Sequence, residues 1–220
     1  MKRMINLDLG RFIAIIVAVL VAIDVHEFSH AWVASRLGDP TARNLGRVSL
    51  NPLVHLDPLG TLMIFLTALT GFGIGWGKPV PVDPYRLQNG PLRGMGMVSL
   101  AGPVANLATA AALAIPFRAG MLLLPGIVLE LLLVMSMVNI GLAIFNLIPL
   151  PPLDGYGVLM GILGSIRAPW AYRSVYSLAR YERYGPMILL LVIIADRYIP
   201  ILSSVIYPPY SLLRQLILGV

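Results

Sequence analysis

The chain of 220 residues contains no cysteine. That excludes a disulfide framework, and it leaves no thiolate to act as nucleophile or metal ligand. Charge is also scarce: charged residues make up 12% of the sequence, only ten residues are acidic and three are histidine. A soluble domain carries roughly 25% charged residues, so a water-soluble particle of 23.8 kDa could not cover its own surface with this set. The sixteen lysines and arginines are scattered. A nucleic-acid surface would need them clustered with exposed aromatics, and no nucleic-acid partner is expected. Apolar side chains are abundant instead, at 58% of the chain with a mean hydropathy of +0.83. This composition is that of an integral membrane protein in contact with a lipid bilayer.

Charge-free windows mark the membrane segments. Residues 95–117 and 131–153 each approach the ~20 residues that a spanning helix requires. The first segment, 11–37, is purely apolar from Phe12 to Ile23 and then carries Asp24, His26, Glu27 and His30 before Gly38, a C-cap followed by the stop Asp39-Pro40. Lys2 and Arg3 precede the apolar run as in a signal peptide. Polar chemistry rather than a small-residue cleavage site follows it, so an uncleaved anchor is expected. Window 58–77 is charge-free but holds Gly60, Gly71, Gly73, Gly75 and Gly77, and 78–93 is broken by four prolines. Residues 165–184 mix arginines with Trp170, Tyr172, Tyr176 and Tyr181, an interfacial composition. A last apolar stretch, 186–206, is interrupted by Asp196-Arg197.

The motif that carries chemistry is His26-Glu27-Phe28-Ser29-His30. On a helix, positions i and i+4 share a face, so both imidazoles can hold one cation and the adjacent glutamate can take a proton from water. Each polar group in an apolar helix is costly and therefore calls for a functional reason. A catalytic zinc takes three protein ligands and keeps one position open. Asp154 is the first candidate for the third ligand. It stands at the end of Asn146-Leu147-Ile148-Pro149-Leu150-Pro151-Pro152-Leu153-Asp154-Gly155, a broken backbone that is tolerated at membrane depth only beside a cavity. Asp24, Asp57 and Glu130 compete with it. Asn146 fits either a hydrogen-bond donor to a developing oxyanion or an interhelical amide contact. His55 fits a loop histidine bonded to backbone, or a residue that gates the site.

Three motifs taken in order, His26 to His30, Gly102-Pro103-Val104-Ala105-Asn106, and Asn146 through Leu153-Asp154-Gly155, resemble the site-2 protease family of intramembrane zinc metalloproteases. The likeness runs to about residue 163 and is closest to the compact bacterial and archaeal branch that lacks a PDZ domain. The resemblance implies one Zn2+ per chain held by His26, His30 and Asp154. It also implies Glu27 as general base, Asn146 near the substrate carbonyl, and Gly102 with Asn106 as a structural element. The expected activity is hydrolysis of peptide bonds in or near transmembrane segments of membrane-protein substrates. An ion carrier using the same ligands and an inactive scaffold are the alternatives.

The ligands must meet at one depth, and that restricts the topology. If 58–77 crossed fully, Asp154 would arrive on the wrong side, so the window is expected to enter and return. The expectation is an all-α polytopic membrane protein with a bundle of about four to six transmembrane helices and a re-entrant or short β-hairpin insertion after the first helix. One membrane-embedded domain is expected over 1–220, with a catalytic core at about 10–163 and an interfacial segment plus helix at about 164–220. Ten of the sixteen basic residues, Arg47 and Arg93 among them, fall on the His-Glu side, while Lys2, Arg3, Arg11 and Arg118 oppose them. The positive-inside rule then turns the site toward the cytoplasm of a prokaryotic cell membrane.

Overall fold

The computed structural model describes residues 9–70, 75–120 and 124–219. Its helices run in order as α1 (Leu9–Arg36), α2 (Thr41–Asn44), α3 (Pro58–Thr70), α4 (Pro91–Arg118), α5 (Gly126–Asn146), α6 (Asp154–Leu163), α7 (Pro169–Tyr181), α8 (Gly185–Asp196) and α9 (Ile201–Leu218). Among the described residues no strand forms beyond one antiparallel bridge between Leu56 and Gly77. The architecture is the all-α polytopic one expected from composition. Three helices, Phe12–Arg36, Pro91–Arg118 and Gly126–Asn146, are long and apolar enough to cross a membrane, and a bent pair in the C-terminal region would make four.

α1 stops where its sequence dictates. Gly38 adopts φ 102°, its N–H bonds the Ser35 carbonyl, and the Asp39 N–H reaches back to Ala34. This left-handed cap satisfies carbonyls that a helix end would otherwise leave bare. The buried Asp39 carboxylate then accepts the N–H groups of Thr41 at 3.0 Å and Asp83 at 2.7 Å. Burial pushes its pKa up, but those bonds, the Thr41 hydroxyl and the nearby Arg86 outweigh it and hold the group below its ordinary value of 3.8. A depressed folded-state pKa means the contribution to stability is complete above 3.8 and is lost only as pH falls through the folded value. Asp39→Ala leaves two part-buried donors without their acceptor and is expected to cost roughly 1–3 kcal/mol at neutral pH, read as a lowered melting temperature.

α1, α4 and α5 form the central layer. Asn106 of α4 bonds the Ala22 carbonyl of α1 and Asn139 of α5, and Ser136 of α5 bonds the Ala110 carbonyl of α4. These pairs run in opposite senses along the helices, so α4 is antiparallel to both neighbours. The helix expected over 131–153 ends at Asn146, because Pro149, Pro151 and Pro152 cannot donate to a helical ladder. α6 resumes in the same direction. Its glycines fit one after another against α4: a Cβ on Gly157 would lie 2.2 Å from Ser99 Oγ and one on Gly161 2.8 Å from the Gly96 Cα, while Ser165 meets Arg93 at 2.8 Å. Hence α5 and α6 make one broken span with Asp154 at the break.

The 58–77 window does not cross. α3 has 13 residues, about 20 Å of helix, against a hydrocarbon core of ~30 Å. Its N-terminus is capped by Asp57, whose carboxylate accepts the Gly60 N–H at 2.8 Å. The chain comes back beside it: a Cβ on Gly75 would meet Ile64, one on Gly60 would meet Trp76, and the Lys78 N–H bonds the His55 carbonyl at 2.7 Å. Among the described residues the insertion is one helix with a non-helical return leg rather than a β-hairpin, coming back to the residue level it left. Gly71 and Gly73 lie outside the described residues. The last apolar stretch is likewise not one helix. α9 turns away by 85° after Asp196, whose carboxylate accepts the N–H groups of Leu202 and Ser203 at 2.6 and 3.0 Å. α9 then packs Ile206, Tyr210, Leu213 and Ile217 over Ala110, Ile140 and Ile144.

Candidate metal centre

His26 and His30 are both buried on one face of α1, with ring centroids 4.6 Å apart. The break in the α5–α6 span brings Asp154, the first residue of α6, against them. Its Oδ2 lies 2.9 Å from His26 Nε2 and 3.3 Å from His30 Nε2. Gly155 permits this approach, since a Cβ there would sit 2.2 Å from the Leu147 carbonyl oxygen.

The far side of each ring settles what the near side offers. His26 Nδ1 faces Asn106 Oδ1 at 2.6 Å. The Asn106 amide nitrogen already donates to Ala22 O and to Asn139 Oδ1 at 2.9 and 2.8 Å. Asn139 in turn spends its amide nitrogen on Met135 O at 2.8 Å. This relay orients both amides, so Asn106 Oδ1 must accept and His26 Nδ1 must donate. His30 Nδ1 donates to the Val98 carbonyl at 2.7 Å. Neutral imidazoles held in this way present both Nε2 lone pairs to a carboxylate oxygen that is buried and has no hydrogen-bond partner. With both imidazoles neutral, three lone pairs converge on one point, an arrangement that a bound cation would satisfy. Ligands at about 2.0–2.1 Å in a tetrahedron stand about 3.3 Å apart, close to the two separations found. The three side chains fit zinc and could hold one ion. Asn106→Ala removes the orienting acceptor and is expected to weaken zinc binding about 10–100-fold, measured by competition with a metallochromic chelator.

The rival ligands lie outside the cluster. Asp57 caps α3. Asp24 is buried, with its Oδ1 3.7 Å from His55 Nε2. Glu130 is exposed on the first turns of α5. His55 is fully buried and its Nε2 donates to the Ser49 carbonyl at 2.8 Å, the backbone-bonded role expected for it.

A cavity of about 210 Å³ opens on the three ligands. Glu27 and Asn146 line it, with Pro79, Val80 and Val82 among the other wall residues. Glu27 thus shares the chamber without joining the ligand cluster. Asn146 faces the same space while donating one amide N–H to Leu142 O at 3.0 Å. Gly102 packs directly on the ligands: a Cβ on it would lie 2.6 Å from both His26 Cε1 and His30 Nε2. Sequence reading missed Asn139 and Ser136, although a polar residue inside an apolar helix is a signal in itself. It also missed Val98, for which no signal exists, because any residue supplies a carbonyl.

Comparison with known proteins agrees with this geometry. The sequence model of peptidase family M50 matches residues 119–191, a stretch that contains Asn146 and Asp154 but neither histidine. The chain is 33% identical over 225 residues to the provisionally named zinc metalloprotease YwhC of Bacillus subtilis, covering 99% of this chain and 95% of that protein. It is 33% identical over 151 residues to the provisionally named zinc metalloprotease Rip2 of Mycolicibacterium smegmatis, covering 68% of this chain and 57% of the relative. No solved structure matches it significantly.

Proposed function

The chain belongs to peptidase family M50, and from that premise we propose that it is an intramembrane zinc endopeptidase cleaving within or beside transmembrane segments of other membrane proteins. One observation carries the reading: His26, His30 and Asp154 converge around a space for a cation inside apolar helices, with Glu27 lining the same cavity. When bound, zinc supplies Lewis acidity that polarises a carbonyl and lowers the pKa of a water to near 7.

The chain's own groups supply the rest. The Glu27 carboxylate accepts the proton of the attacking water and delivers it to the departing amine nitrogen. Asn146 lines the cavity and spends one amide N–H on Leu142 O, leaving the other as a donor for the oxyanion that builds on the attacked carbonyl. Asn106 and Val98 keep the imidazoles in one tautomer throughout. The surrounding apolar helices exclude bulk water, which strengthens each of these interactions. A peptide bond inside a helix is shielded by its own hydrogen bonds, so the substrate must unwind to reach the cavity, and helix-breaking residues near the scissile bond should speed cleavage. No feature among the described residues favours an ion carrier or an inactive scaffold.

The site is assigned to the cytoplasmic side of a prokaryotic membrane, supported by the basic residues gathered on its side. Lys2, Arg3, Arg11 and Arg118 oppose that count, and Lys2 and Arg3 lie outside the described residues. The test is purified protein in proteoliposomes with a fluorogenic single-span peptide bearing a mid-span Gly-Pro break. A zinc chelator is expected to abolish cleavage and added zinc to restore it. A zinc-loaded protein that leaves this peptide and a panel of single-span proteins intact would defeat the proposal.

A further inference from the structure

The loop after α1 holds two buried polar residues that no catalytic role absorbs. Arg47, in a loop otherwise rich in exposed residues, is only 5% exposed. Its guanidinium NH2 donates to two successive backbone carbonyls, Lys78 O and Pro79 O, each at 2.9 Å. His55 is fully buried. Its ring donates to Ser49 O and lies 3.7 Å from Asp24 Oδ1 on α1, while its own carbonyl receives the Lys78 N–H at 2.7 Å. Lys78 is therefore held on both sides of its backbone: the Arg47 side chain takes its carbonyl, and the backbone carbonyl of His55 takes its N–H, while the His55 ring acts indirectly by fixing that residue to Ser49 O.

What is gripped is the exit of the re-entrant hairpin, and that exit is a wall of the metal cavity. Gly77 passes so close to α1 that a Cβ on it would lie 2.7 Å from Ile23 Cγ2 and 3.4 Å from Glu27 Oε1. Pro79, Val80 and Val82 follow and line the cavity together with His26, His30 and Asp154. Burying a guanidinium is costly unless it is paired. Two carbonyls of one non-helical segment are a specific return for that cost, and they lie in a stretch that lines the chamber.

We propose that Arg47 and His55 are positioning residues that clamp the 77–80 wall against Glu27 and so set the gap in which an unwound peptide is received. The inference deepens the proteolytic reading and rests on it for its kinetic consequence. Its structural consequence stands without it: losing the clamp loosens the wall while the metal ligands, whose described bonds run among α1, α4 and α6 groups, stay assembled.

Because the chain has no native cysteine, a single Val80→Cys substitution reports the wall directly. In the full-length protein in detergent, Arg47→Leu and His55→Leu are each expected to raise the rate of maleimide labelling of the introduced thiol at least about fivefold, with zinc content unchanged. Arg47→Lys, which restores donors to the two carbonyls, should fall between Arg47→Leu and the parent. With the fluorogenic peptide, the leucine variants should lose about tenfold in kcat/KM, chiefly through KM. Where a leucine variant loses its zinc and melting transition, Arg47→Lys and His55→Gln carry the comparison, and each should label about twofold faster than the parent. Labelling at the parent rate in zinc-loaded variants overturns the clamp. A parent that labels slowly but never cleaves overturns the protease reading instead and leaves the clamp supported by the labelling.

Discussion

Glu27→Gln is expected to lower peptide hydrolysis by about 10³-fold while the zinc content stays at one ion per chain. The two halves of that result separate the base from the ligands. Glu27 lines the cavity beside His26 and His30, but the atoms that close on one another belong to His26, His30 and Asp154. Glutamine is isosteric with glutamate, so it meets the nearby Gly77 backbone no differently, and it leaves both imidazole relays intact. It cannot accept a proton at neutral pH. Zinc by elemental mass spectrometry and cleavage by mass spectrometry of products are the two readouts. Near-parent turnover would show that another group takes the proton, whereas loss of zinc would make Glu27 a ligand.

The same distinction explains which parts of the site were legible in the sequence. The spacing of His26 and His30 is a local property of a helix, so their shared face follows from 3.6 residues per turn. Asp154 was reachable because acidic residues are so few and because prolines mark the break before it. The non-crossing hairpin at 58–77 followed from counting sides, even though its hydropathy alone would read as a span. The clamp did not follow. Arg47 reaches carbonyls 31 and 32 positions away, and a loop arginine otherwise reads as solvated charge counted toward topology. The relay through Asn139 depends on the register of α4 against α5, which periodicity does not specify. The corner before α9 had a signal in Asp196-Arg197, but not an angle.

Gly102→Ala is expected to weaken zinc binding at least about 100-fold, a large effect for a single methyl group. The added Cβ would lie 2.6 Å from His30 Nε2, a ligating atom, and 2.6 Å from His26 Cε1. Neither ring can swing away cheaply, because His26 is bonded to Asn106 and His30 to Val98. Both of those partners sit on α4, the helix that carries Gly102. If α4 retreats to make room, it pulls the acceptors off the imidazoles. If it stays, the rings rotate out of the ligand geometry. The control is Gly141→Ala in α5, where the nearest atom to a new Cβ is Tyr210 Cε2 at 3.9 Å. That substitution should leave zinc affinity unchanged and raise stability by about 0.5–1 kcal/mol through helix propensity. Equal zinc affinity in Gly102→Ala and the parent would mean that the imidazoles are not held in place by α4. The relay through Asn106 and the Val98 carbonyl would then have no part in presenting the metal ligands.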